Sequence, residues 1–177
     1  MSSKITLPLV AAAAIALGVG ACSPAENGAA AVVGDRRITT DQLQRALAGL
    51  RAGNPEFAQV EQLDRLVLFD LVAAPYLLQA AQDTGLGVSP SEAQTALAKT
   101  PDADPEALRA LQAQIALNKL TQGQKAQALA GVGTALRQAG VRISPRFGRF
   151  DTQSLTIVDA QPNWLVPTPT PTPSATP

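Results

Sequence analysis

Few residues of this sequence have side chains suited to catalysis or metal binding. The 177 residues contain no histidine and one cysteine, Cys22. Zinc sites of the Cys/His type, disulfides and histidine-based acid–base catalysis are therefore excluded within one chain. Serine and threonine are plentiful, but no base stands ready to activate one of them as a nucleophile. These features favour a protein that is not an enzyme and needs no cofactor.

Two other sequence patterns resemble binding sites but lack residues that such sites require. Asp102, Asp104 and Glu106 are close in sequence, but Asp104 and Glu106 flank a proline in the order that is typical of a helix start. A calcium loop of the EF-hand type would also need a central glycine and a later glutamate. The segment 131–133 (GVG) lacks the preceding strand and the third glycine of a dinucleotide-binding turn. We therefore predict no metal site.

The single cysteine follows a segment that is typical of an export signal. Lys4 gives a positive start, residues 5–17 form a short apolar run, and residues 19–21 (VGA) are small and directly precede Cys22. Residues 1–21 are therefore predicted to be a signal peptide. An ordinary secretory signal with an incidental cysteine and an uncleaved anchor are the alternatives, although the apolar run is short for a membrane span.

The four residues that end at Cys22 resemble the lipobox of bacterial lipoproteins. That resemblance implies cleavage before Cys22, a diacylglyceryl group on its thiol, and acylation of the new amine by a fatty acid such as palmitate. Two or three acyl chains anchor a protein stably, whereas one is marginal. We therefore expect a lipoprotein on the extracytoplasmic face of the cell membrane, held in the bilayer through acylated Cys22.

Charge is distributed unevenly along the chain. Residues 22–106 carry a net charge of −6, whereas residues 107–150 carry +7 and contain no acid. A basic segment can contact nucleic acid or anionic lipid. An exported protein rarely meets nucleic acid, so we expect no such partner. We interpret the asymmetry as attraction between the two halves when the chain folds back.

The most apolar stretch, residues 60–83, predicts a long central helix. Apolar residues recur every three or four positions on more than one side of it, and Asp70 is the only charge between Leu66 and Leu78. Pro75 predicts a kink. Such a helix is either wrapped by other helices, which is the simpler interpretation, or offers one flank to a ligand. The flank that carries Phe69, Val72 and Tyr76 is the candidate peptide-binding surface.

The remaining elements are placed by turn and cap signals. Residues 31–38 predict a hairpin, and Thr39 with Gln42 predicts a capping box for a helix over residues 40–52. Two further helices are predicted to begin at Ser89 and Asp104, and a fifth carries Leu129 to Ala139. Residues 141–144 alternate like a strand. The sequence thus predicts a mainly α fold of about five helices around the central one, with a two- or three-stranded sheet where the N- and C-terminal segments meet.

Three motifs in this order resemble the SurA/PrsA-type chaperone domain. They are the opening hairpin 31–39 (AVVGDRRIT), the junction 81–89 (AQDTGLGVS) after the central helix, and the returning strand 141–151 (VRISPRFGRFD). The resemblance implies one module, in which the N-terminal helices and the returning strand hold extended or unfolded polypeptides against apolar surfaces. Many members also carry an inserted parvulin prolyl isomerase domain. In this sequence the stretch between the fourth helix and the returning strand is too short to hold a parvulin domain. The resemblance therefore does not imply catalysis.

These inferences predict four segments. Residues 1–21 are the signal peptide, 22–30 a tether, 31–160 a SurA N-terminal-like helical domain, and 161–177 a disordered Pro/Thr-rich tail. The expected function is that of a non-catalytic chaperone, or holdase, for exported polypeptides. An envelope assembly adaptor that binds one folded partner and a small-ligand-binding lipoprotein are the alternatives. A closed apolar pocket would favour the last, whereas an open groove would favour either of the others.

Overall fold

The computed structural model describes residues 28–97, 100 and 102–160. In this part of the chain five α-helices and five short strands follow one another, and the mainly α fold class is confirmed. The elements are β1 (Ala29–Val33), β2 (Arg36–Thr39), α1 (Thr40–Gly53), α2 (Leu63–Asp83), α3 (Pro90–Ala96), α4 (Pro105–Gln122), α5 (Ala126–Gln138), β3 (Arg142–Ile143), β4 (Arg149–Asp151) and β5 (Thr156–Val158).

The helix starts depend on the caps that the sequence predicts. Thr39 accepts a hydrogen bond from the Gln42 backbone N–H, and its own N–H donates to the Gln42 side chain at 2.8 Å, which completes the capping box of α1. Ser89 and Asp104 likewise accept from backbone N–H groups in the first turns of α3 and α4, each with proline at the first helical position. These predictions are confirmed.

The central helix is α2, and it packs most extensively on α4. Each of these helices carries several buried alanines, whose small side chains permit close packing; they are Ala73, Ala74 and Ala81 on α2 and Ala107, Ala110, Ala113 and Ala116 on α4. The helix begins at Leu63, later than predicted, because a 3₁₀ turn over Pro55–Gln59 precedes it and leaves Val60 exposed.

The two ends of the domain meet in a three-stranded sheet of order β2-β1-β3, as predicted. Both neighbours run antiparallel to β1, with Ala31 opposite Ile38 on one side and Ile143 on the other. The first strand begins at Ala29 and so includes the last two residues of the segment predicted as a tether. A second hairpin, β4–β5, was not predicted; its Ile157 is buried and β5 packs against α2.

Arg36 connects this sheet to the middle of α2. The helix runs without interruption through Pro75, which has no N–H to donate to the carbonyl of Leu71 four residues earlier. The guanidinium of Arg36 donates to that carbonyl at 3.1 Å and to the carbonyl of Val72 at 2.8 Å. Burial lowers the pKa of Arg36 from its ordinary value. One half-buried side chain therefore replaces the donor that Pro75 lacks.

We expect Arg36→Met to lower the free energy of unfolding by about 1–3 kcal/mol, since a buried carbonyl would lose a charged donor. In a Pro75→Ala background the loss should be smaller, because the backbone N–H restored at position 75 can donate to Leu71. Urea denaturation of the wild type, both single variants and the double variant measures this coupling. Additive effects of the two substitutions would contradict the proposed role of Arg36.

Candidate functional site

An open groove lies between the C-terminal half of α2 and α5. Its volume is about 570 Å³. The apolar part of its lining consists mainly of small residues, with one aromatic ring: Pro75, Tyr76 and Ala80 from α2, and Ala128, Gly131, Val132 and Ala135 from α5. Pro75 and Gly131 are exposed, so the groove is accessible from solvent.

The depth of the groove follows from the small residues on α5. A Cβ atom built on Gly131 would meet no other heavy atom within 4 Å, so this position faces open space. The neighbouring Gly133 differs, because a Cβ there would lie 2.7 Å from a methyl group of Leu155. Gly133 thus permits close packing, whereas the missing side chain of Gly131 leaves room for a ligand.

One end of the groove is polar. The side-chain amide of Gln79 donates to the carboxylate of Asp83 at 2.7 Å. The Thr84 hydroxyl donates to the Ala80 carbonyl at 2.8 Å and so helps to satisfy the end of α2. Among the described residues of the lining, Asp83 is the charged one. The arrangement provides apolar contact along most of its length and hydrogen-bonding groups at one end.

The structure separates the three residues predicted to form the peptide-binding surface. Tyr76 is half-buried and lines the groove. Phe69 is also half-buried, but it lines a different depression of about 280 Å³ beside β5, together with Leu66 and Ile157. Val72 is completely buried in the core. The three positions share one face of α2, but different neighbours cover that face along its length, so they do not form one surface.

Sequence reasoning missed the α5 side of the groove. In the sequence, the segment 131–133 resembles only an incomplete dinucleotide-binding turn. A run of small residues on a helix that also carries a core face is a signal of close packing or of a cleft. The sequence alone does not distinguish the two, because the result depends on which residues of α2 lie opposite.

Asp70 is a charged residue in the core of α2. It is 4 % exposed and lies on the same stripe of the helix as Val67 and Ala74, both buried. No hydrogen bond or salt bridge to its carboxyl is formed within the part of the chain that the structure describes. Burial raises the pKa of Asp70 to about 8. The carboxyl is therefore largely protonated at neutral pH.

Several segments with predicted roles lie outside the described residues. They are the signal peptide 1–21, Cys22 and the Pro/Thr-rich tail 161–177. Within the described ranges, no cluster of three or more potential ligands is placed to hold a metal ion. In the same ranges, no helix combines the length and the apolarity that a membrane crossing requires.

Comparison with known families identifies the chain. A family model described as the SurA-like N-terminal domain matches residues 1–131. The chain belongs to this family. The match covers the opening hairpin, α2 and the part of α5 that includes Gly131, so both sides of the groove lie at least partly within it. The returning strand 141–151 lies beyond the match, although the structure confirms that β3 pairs with β1.

Searches of curated proteins and of solved structures found no match. The SurA-like N-terminal domain is of a chaperone type. Its family membership thus supports the coarse class that the motifs indicated, and the groove is the feature of this member to which such a role can be related.

The stability of this SurA-like domain should decrease as pH rises from about 4 to about 8. In that range the unfolded chain ionises Asp70, whereas the folded chain keeps the carboxyl protonated, so each pH unit costs up to about 1.4 kcal/mol. Asp70→Asn removes this titration, and the variant should be the more stable one at pH 8. Urea denaturation at several pH values measures the difference. The same pH dependence in both proteins would contradict the assignment.

Proposed function

We propose that this chain is a membrane-anchored chaperone that holds unfolded or extended exported polypeptides in the groove between α2 and α5. It acts on the extracytoplasmic face of the cell membrane and does not catalyse prolyl isomerisation. The observation that carries the proposal is an open, mainly apolar groove in a member of a chaperone-type family. The anchor is acylated Cys22.

The lining of the groove is suited to weak and unselective binding. Small side chains and one aromatic ring offer apolar contact area worth roughly 25 cal/mol per Å² removed from water, without a deep pocket that would demand one residue type. An open groove accommodates an extended segment, whereas a small-ligand site encloses most of its ligand. These features favour a holdase over a small-ligand-binding lipoprotein.

Gly131→Trp should abolish most of the holdase activity, because the new ring would occupy the groove without entering the core. The matched control is Ala130→Trp, whose position is exposed and is not part of the lining. Light scattering by an aggregating client measures activity, and circular dichroism checks that both variants melt as the wild type does. Equal protection of the client by the two variants would exclude the groove as the binding site. No protection by the wild type would favour the adaptor alternative.

Gly131→Ala should separate stability from function. Alanine is more favourable than glycine in a helix by about 0.8–1 kcal/mol, and the space beside this position is open. We expect the melting temperature to rise while holdase activity changes little, since a methyl group fills little of the groove. A lower melting temperature would show that position 131 is packed in solution.

Because Cys22 is the only cysteine in the chain, its substitution tests the proposed lipid anchor. Cys22→Ala should abolish incorporation of a fatty-acid analogue and leave the precursor uncleaved, because both reactions of the lipoprotein pathway require the cysteine. Ser23→Ala is the matched control and should be labelled as the wild type is. Gel fluorescence after metabolic labelling measures the outcome. Equal labelling of the Cys22 variant would contradict lipid attachment at this residue.

A further inference from the structure

The segment that closes the domain is rich in exposed arginine. Arg137, Arg142, Arg146 and Arg149 are all exposed, and no acid occurs between residues 107 and 150. The charge pattern of the sequence predicts attraction between this basic segment and the acidic half of the chain. Between described residues, however, one salt bridge joins the basic segment to an acid, and it is Lys119 with Glu92. That pair involves none of the four exposed arginines.

These arginines gather at the end of the domain where the chain enters it. The Gly34 N–H donates to the Ala139 carbonyl at 2.8 Å, so the end of α5 lies against the turn of the first hairpin. The Ser144 N–H donates to the Ala30 carbonyl at 2.9 Å, which places the turn after β3 beside the start of β1. Arg137 lies two residues before Ala139, and Arg146 lies two residues after Ser144. Their charge is therefore close to the first residues of the domain.

The outer face of the sheet continues the same positive surface. Val32 lies opposite Arg37 on one neighbouring strand and opposite Arg142 on the other. Residues opposite each other on adjacent strands point to the same face. The row through Ala31 is buried, so the row through Val32 faces outward. Asp35 and Asp151 are the acids nearest in sequence to these arginines, so basic residues outnumber acidic residues around this face.

A shallow depression of about 380 Å³ lies beside this row, with Val32, Ser144 and Pro145 in its lining. The first strand begins at Ala29, seven residues after Cys22, so the chain between them spans at most about 25 Å. Because this connection is short, the end of the domain at which the chain enters must lie near the membrane when Cys22 is anchored. Here that end carries the exposed arginines.

We propose that the outer face of the β2-β1-β3 sheet, together with the turn over residues 144–149, is a docking surface for an anionic lipid bilayer. This inference rests on the acylation of Cys22 proposed above. Each arginine close to such a surface favours contact by about fivefold, and screening confines the effect to the first ~8 Å at physiological ionic strength. Docking would fix the orientation of the anchored domain.

A single spectroscopic label tests the orientation. Because Cys22 is acylated in the mature protein, Ser144→Cys introduces one free thiol at the centre of the surface, and a nitroxide there reports its distance from the lipid. The acylated chain is reconstituted in vesicles of phosphatidylcholine alone and in vesicles that also contain phosphatidylglycerol. Label accessibility to a water-soluble paramagnetic chelate is measured in both. A label at Ser91→Cys, on α3, is the control position.

The test variant is Arg146→Gln with Arg149→Gln, and the charge-matched control is Arg51→Gln with Lys125→Gln. Lys125 precedes α5, whose far end reaches the sheet about 20 Å away. We expect the label at position 144 to be shielded severalfold in anionic vesicles, and this shielding to be lost in neutral vesicles, at high salt and in the test variant only. The label at position 91 should stay accessible throughout.

Three results would overturn the inference. Equal accessibility at position 144 in both lipids would show that charge does not orient the domain. That result would leave the proposed holdase function intact, because the holdase assay does not depend on docking. Shielding that persists in the test variant would place the docking surface elsewhere. A chain that fails to float with either vesicle would refute the anchor, and therefore both this inference and the membrane part of the proposed function.

Discussion

The contact between Arg36 and the backbone of α2 is the interaction on which the arrangement of this domain depends. Proline at position 75 leaves the Leu71 carbonyl without its helical donor, and a buried carbonyl without a partner is costly. Arg36 supplies that donor from β2. The hairpin is thereby held against the middle of α2, and β3 pairs with the hairpin to close the domain. The contact that compensates for Pro75 in the helix thus also holds the sheet in which the N- and C-terminal strands of the described domain meet.

Small residues determine the other half of the architecture. Buried alanines on α2 and α4 permit close packing, and α1 also approaches α4, where a Cβ on Gly49 would lie 2.7 Å from that of Ala107. On α5 the same residue types line the groove with Pro75 and Tyr76, and no third element of the described chain contributes to that lining. The same composition therefore produces a tight core on one side of α2 and an open groove on the other.

Much of the fold could be predicted because its signals are local. The caps at Thr39, Ser89 and Asp104 define helix starts, and the alternation over residues 141–144 predicts a strand. The candidate site was less predictable, since it depends on which elements meet. Val72 and Tyr76 are one turn apart, yet one is in the core and the other lines the groove. The β4–β5 hairpin that covers Phe69 gave no clear pattern, because its strands have three residues each.

The central claim, that the groove between α2 and α5 holds polypeptide, is tested most directly by photo-crosslinking from within it. A photoreactive amino acid replaces Gln79, which lines the groove, or Gln44, which is exposed on α1, and each protein is irradiated with an unfolded client. The account predicts strong crosslinking from position 79, its loss when folded client is used, and little crosslinking from position 44. Equal crosslinking from both positions, or none from position 79, would contradict it.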